Sequence, residues 1–117
     1  MKTFETLEHL VRGWSIEKGI MSKATPQSQF TKVQEEVAEI ADALQSGDFE
    51  EMQDAIGDTL VTLIILNQLL ERDHPEQYAN TVTPYLEFAY DIISKRTGKM
   101  LNGVFVKDTN PAAQTGE

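Results

Sequence analysis

The chain contains no cysteine, so it has neither a disulfide framework nor a thiolate metal site, and nothing points to an oxidising compartment. Any metal would have to be held mainly by oxygen. Proline and glycine are scarce, 4 and 7 in 117 residues, which excludes collagen-like and low-complexity chains. Long apolar runs are also missing. The densest, LVTLIILNQLL at 60–70, is short and broken by threonine, asparagine and glutamine; it is too short and polar to span a bilayer and reads as a core or interface helix. The opening MKTFETLEHLVRGW lacks the unbroken apolar stretch of a signal peptide, so a cytoplasmic protein is expected. Positive charge is short too: 10 Lys and Arg against 19 Asp and Glu leave a net charge of −9. That balance argues against nucleic acid and anionic membrane as partners. A small phosphorylated ligand remains compatible, provided a divalent cation sits between.

What is present is ordinary globular composition, 40% hydrophobic and 25% charged. The length suits one domain, at a size where helices often finish burying their faces against a second copy of the chain. Phe4, Leu7, Leu10, Val11 and Trp14 recur at helical steps, and the polar MSKATPQSQ after them reads as a loop or lid. Val33, Val37, Ile40, Ala41 and Leu44 form one stripe of a second helix, broken at Ser46-Gly47-Asp48. Phe49, Met52, Ile56, Leu60, Leu63 and Leu70 carry a third helix, apolar almost all round in its second half. Thr83-Pro84 opens a fourth, with Leu86, Ala89, Tyr90 and Ile93 as its stripe and Gly98 as its C-terminal cap. The expected fold is therefore all-α, of four-helix-bundle type, completed by homo-oligomerisation, dimeric or tetrameric. Residues 1–106 make the helical domain and 107–117 a flexible tail, and GVFVKDTNPAAQTGE at 103–117 begins as a short extended segment.

The acids are the chemically informative residues. Within KVQEEVAEIADAL at 32–44, a helical wheel puts Glu36 about 80° from the centre of the apolar stripe, Glu39 about 140° away and Glu35 opposite it. On the third helix Glu51, Asp54 and Asp58 share a face that continues as Val61, Ile65 and Leu69, so the acidic row runs into buried surface. Like charges at these spacings repel, and enclosure raises the cost. Glu36 and Glu39 facing Asp54 and Asp58 across two antiparallel helices would relieve it by holding a hard divalent cation, Mg2+ or Mn2+. The alternative reading is a pair of solvated acidic faces, and spacing alone does not choose between them.

The pairing of EEVAE with DAIGD at the head of an apolar helix resembles the MazG-like nucleoside triphosphate pyrophosphohydrolases, which belong with the all-α NTP pyrophosphatases and the dimeric dUTPases. RTGKMLNGVFVKD looks like the C-terminal segment of small, phage-type members. Carried over by position, the resemblance puts metal-binding carboxylates on Glu36, Glu39 and Asp58, and the first glutamate of the family's pair on Glu35. The family's fourth acid falls on Ala55, which has no oxygen to offer. Asp54, four residues before Asp58, is the geometric substitute, with Glu51 the other nearby acid.

The activity implied is Mg2+-dependent hydrolysis of a nucleoside triphosphate, NTP or dNTP, to monophosphate and pyrophosphate. Glu35 or Glu39 would then orient or deprotonate the attacking water. Lys32, one turn before Glu36, and Lys95, Arg96 and Lys99, clustered at the end of the last helix, would meet triphosphate oxygens. Otherwise these cations complement a helix dipole or solvate a surface. Trp14 is the first aromatic to test against a nucleobase. Glu71 and His74 have the spacing of half a di-iron site but no second half. The competing functional class is a non-catalytic helical interaction or regulatory protein, which the alanine at 55 keeps open.

Overall fold

The computed structural model describes residues 1–108. The chain is mostly helical: α1 Phe4–Glu17, α2 Ile20–Lys23, α3 Pro26–Ser46, α4 Phe49–Asp73 and α5 Thr83–Ile93 precede a hairpin of β1 Gly98–Leu101 and β2 Val104–Lys107. It divides into two compact units, Met1–Val82 and the chain from Thr83 onward.

In the first unit α4 is the central element, with α3 packed on one face and α1 on another. Side-chain bonding sets their directions. Gln29 near the start of α3 donates to the Thr62 carbonyl on α4 at 3.2 Å. Ser15 and Arg12 on α1 meet Gln68 and Glu71 on α4 at 2.5 and 2.8 Å. Both neighbours therefore run antiparallel to α4. The α3–α4 connection is a two-residue break: Gly47 adopts the left-handed conformation, φ 72°, that ends α3. Asp48 then caps α4 by accepting from the Glu51 amide at 3.0 Å.

Along α3 the residues turned to α4 are Gln29, Val33, Glu36, Ile40 and Ala43, and along α4 they include Ala55, Asp58, Thr62, Ile65 and Leu69. Each set advances by alternating threes and fours, the spacing of a packed helical seam. This corrects the expected stripe. Val37 and Leu44, expected inside, are 50% and 70% exposed, and the buried face is turned by about 60° toward the acids. Glu36 lies within it rather than beside it.

Several boundaries also differ from expectation. MSKATPQSQ is not a loop: α2 forms one turn of it and α3 begins at Pro26. The reason is the capping box at Thr25. Its hydroxyl accepts from the Ser28 amide, and Ser28 Oγ accepts from the Thr25 amide, both at 3.0 Å. The first unit packs three long helices, and the expected fourth, α5, belongs to the second unit.

In the second unit, Gly98 opens β1 instead of capping α5. A β-carbon there would strike the Val106 carbonyl oxygen across the hairpin, so glycine is required for close strand approach. Asn102 and Gly103, φ 50° and 84°, make the two-residue turn. Lys107 pairs with Gly98, past the boundary set at 106. The rest of the expected tail, 109–117, lies outside the described residues.

Candidate metal and nucleotide site

Glu36, Glu39 and Asp58 come together between α3 and α4, one carboxylate oxygen from each lying within 4.8 Å of the others. Their environments differ in a way the seam explains. Glu36 is buried, because its position faces α4; Asp58 is half-buried on the opposing helix; Glu39, three residues along α3, is exposed at the rim.

Glu36 Oε1 is paired with Lys32 Nζ at 3.5 Å. Its Oε2 is buried and accepts no hydrogen bond from a nitrogen or hydroxyl donor. Such an oxygen calls for a proton or a cation, since a buried bare carboxylate is costly. The titration of its neighbours carries the same demand. The Glu39 carboxyl is held above its ordinary value, first by the hydrogen bond it can give Glu36 when protonated and then by the Glu36 charge. Asp58 is also pushed up, first by burial, then by the charges of Asp54 and Glu36. An all-oxygen donor set with an orphaned buried oxygen fits a hard divalent cation.

The other candidates fall around this triad. Lys32 bridges Glu35 at 3.3 Å and Glu36 at 3.5 Å, and bonding to Glu35 raises its own pKa. Glu35 is exposed and apart from the triad. Asp54 is exposed as well; with Glu50, Glu51, Gln53, Gly57 and Asp58 it lines an open acidic trough of about 620 Å3. Ala55 is 3% exposed, so the place of the missing fourth acid is inside the helical seam. Lys95 and Arg96 follow α5, and Lys99 stands in β1, off the helix where it was expected; all three belong to the second unit.

Beside the triad is a pocket of about 240 Å3 lined by Trp14, Ile20, Gln29, Lys32, Glu36, Asp58, Val61, Thr62 and Ile65. The lining combines apolar and aromatic side chains with two acids and Lys32, which suits a ligand with a flat organic part and a charged part. Sequence reasoning missed Ile20 and Gln29. The signal for Gln29 is its distance of seven from Glu36, two helical turns, which puts both on one face.

These features define a class: a helical hairpin that gathers a carboxylate triad able to hold a metal ion beside a small pocket. The chain belongs to the MazG nucleotide pyrophosphohydrolase domain family, whose model matches residues 24–86. That span covers α3, α4 and every residue of the triad. An uncharacterized 18.2 kDa protein from the rep-hol intergenic region of Haemophilus phage HP1 is 29% identical over 66 residues, 56% of this chain and 40% of that protein. The chain thus spans less than half the length of that relative. No solved structure matches. Among the described residues no helix is long and apolar enough to cross a membrane.

Proposed function

We propose that the protein hydrolyses nucleoside triphosphates, NTP or dNTP, to the monophosphate and pyrophosphate with Mg2+ or Mn2+ as cofactor. The observation that carries this reading is the Glu36–Glu39–Asp58 triad opening beside the pocket that holds Trp14 and Gln29. Glu36, Glu39 and Asp58 are the residues that would hold the cation, and Asp54 adds negative charge beside Asp58. When bound, the cation neutralises charge on the polyphosphate oxygens.

The chain's own residues supply the rest. The pocket takes the nucleoside, with Trp14 as the apolar surface for the base. Lys32, tethered between Glu35 and Glu36, presents an ammonium to the polyphosphate. Glu39, at the exposed rim of the triad, accepts the proton of the attacking water, and Glu35 keeps Lys32 in place. The anhydride between the α and β phosphoryl groups is cleaved. Assignment of Lys95, Arg96 and Lys99 as further polyphosphate contacts rests on the sequence alone.

Self-association belongs to the same reading. Phe30, Val37 and Leu44 on α3, and Phe49, Ile56, Leu60 and Leu63 on α4, are exposed apolar side chains. They form a second row on each helix, the pattern of a face made for another chain. The non-catalytic alternative draws only on Ala55. Incubation with a panel of NTPs and dNTPs plus Mg2+, with product identification, tests the proposal. Monophosphate and pyrophosphate are expected; orthophosphate with a diphosphate, or no turnover of any member, would overturn it.

A further inference from the structure

One side chain of the pocket's lining, Ile20, comes from a segment too short to hold itself. α2 is a single turn, Ile20–Lys23, and an isolated turn has no stability of its own. Its Ile20 nevertheless lines the nucleotide pocket. Beyond its packing on α1 and α4, it is tied down by Arg72, in the last turn of α4. The same nitrogen, Nη1, donates to the carbonyls of Met21 at 2.8 Å and Ala24 at 2.9 Å. These are C-terminal carbonyls of α2, which lack partners within the turn.

Arg72 is itself aimed by its neighbour. Asp73 accepts from Nε at 2.7 Å and from Nη2 at 3.2 Å, a two-pronged contact that leaves Nη1 directed at the two carbonyls. The guanidinium is partly exposed, so its place at the chain's surface is not explained by packing. Ala24 immediately precedes Thr25, the cap of α3. Arg72 therefore ties the far end of α4 to the stretch that runs from the pocket wall into the helix bearing Gln29, Lys32 and Glu36.

We propose that the Arg72–Asp73 pair positions the pocket wall: by holding α2 in place it sets the affinity for the nucleotide while leaving the hydrolytic step untouched. The proposal rests on the functional reading above. The division between binding and chemistry follows from the packing. α2 packs on α1 and α4, whereas the triad is fixed by the α3–α4 seam and α3 keeps its own capping box. Loosening α2 should displace Ile20 without moving the carboxylates. Lysine cannot replace arginine here, because an ammonium has no planar fork to meet Asp73 and two carbonyls together.

The test is steady-state kinetics of wild type, Arg72→Gln, Arg72→Lys and Asp73→Asn with the triphosphate that wild type turns over fastest. Amide hydrogen exchange of the same four proteins, without nucleotide, accompanies it. For Arg72→Gln we expect KM to rise about ten-fold with kcat within about two-fold. Exchange should accelerate at residues 20–25 and remain unchanged over 33–43 and 55–65. Arg72→Lys and Asp73→Asn should show smaller changes in the same direction, and they carry the test should Arg72→Gln fail to fold. Unchanged KM, unchanged exchange at 20–25, or a fall in kcat matching the rise in KM each overturns the positioning role. A wild type that turns over no triphosphate overturns the functional reading and this proposal together; an active wild type with an indifferent Arg72→Gln overturns this proposal alone.

Discussion

Glu36 on α3 and Asp58 on α4 meet across the helical hairpin, each with a carboxylate oxygen within 4.8 Å of the other and of Glu39. Both stand at seam positions where a helical pair would ordinarily place apolar side chains. The chain thus gives up packing at the middle of its main helix contact, and what it gains there is a concentrated negative charge.

That exchange predicts opposite effects of one substitution in two conditions. Glu36→Gln removes a repelling, partly orphaned charge, so without divalent metal it should melt no lower than wild type. With millimolar Mg2+ or Mn2+ the wild type should gain several degrees, since a ligand held at 100 times its Kd contributes about 2.7 kcal/mol, and Glu36→Gln should gain none. Calorimetry of both proteins with and without metal measures this; equal metal-induced shifts would remove Glu36 from the site.

The raised carboxyls of Glu39 and Asp58 give the metal effect a pH dependence. The folded chain binds these protons more tightly than the unfolded chain. Their contribution to stability is therefore intact below the ordinary values of 4.5 and 3.8 and is lost as pH rises through the raised ones. A metal must displace the same protons. The rise in melting temperature caused by Mg2+ should accordingly be smaller at pH 5 than at pH 7.5, and the difference should shrink in a Glu39→Gln, Asp58→Asn double variant. Calorimetry at the two pH values, with and without metal, decides it.

Gln29 offers a prediction for the pocket. Its amide is buried and spans from α3 to the Thr62 carbonyl. Gln29→Ala should lower stability by about 1–2 kcal/mol through the lost bond and the space left behind. It should also raise KM for the triphosphate more than it lowers kcat, because Gln29 lines the pocket but is not among the acids. Denaturant melts and kinetics on one preparation separate the two effects.

The sequence carried the acids more clearly than the face they lie on. Three-residue spacing marks Glu36 and Glu39 as neighbours able to face Asp54 and Asp58, and the narrower set Glu36, Glu39 and Asp58 is what the family resemblance implies. The wheel failed in orientation because α3 carries two apolar rows, Val33 with Ile40 and Ala43 toward α4, and Phe30 with Val37 and Leu44 away from it. Averaging both into one stripe puts the apparent centre between them and swings Glu36 toward the rim. Gly98 reads ambiguously in the sequence because glycine serves equally at a helix end and at a tight strand crossing, and only the pairing with Lys107 distinguishes them. Thr25-Pro26 carries the same opening signal as Thr83-Pro84, but the polar residues after it masked the helix. The Arg72 contacts join residues some fifty positions apart, a relationship without any local signature.

The outward rows lead to the last prediction. Within the described chain the buried apolar side chains are Val33, Ala43, Ala55, Ile64, Ile65 and Leu69, two of them alanines, which is a thin core for helices of this length. The outward row of α3 lies about 80° round the helix from the seam, and on the side away from Glu39. A second copy covering Val37 and Leu60 would complete the core without closing the acidic rim. Each leucine or valine so buried is worth about 1.5–3 kcal/mol, enough for a few such contacts to hold a dimer at micromolar concentration. Sedimentation of the wild type should therefore give a dimer or tetramer. The Val37→Glu, Leu60→Glu double variant should sediment as a monomer with a lower melting temperature. If the wild type remains monomeric at tens of micromolar, those rows have another use, and the small core must suffice alone.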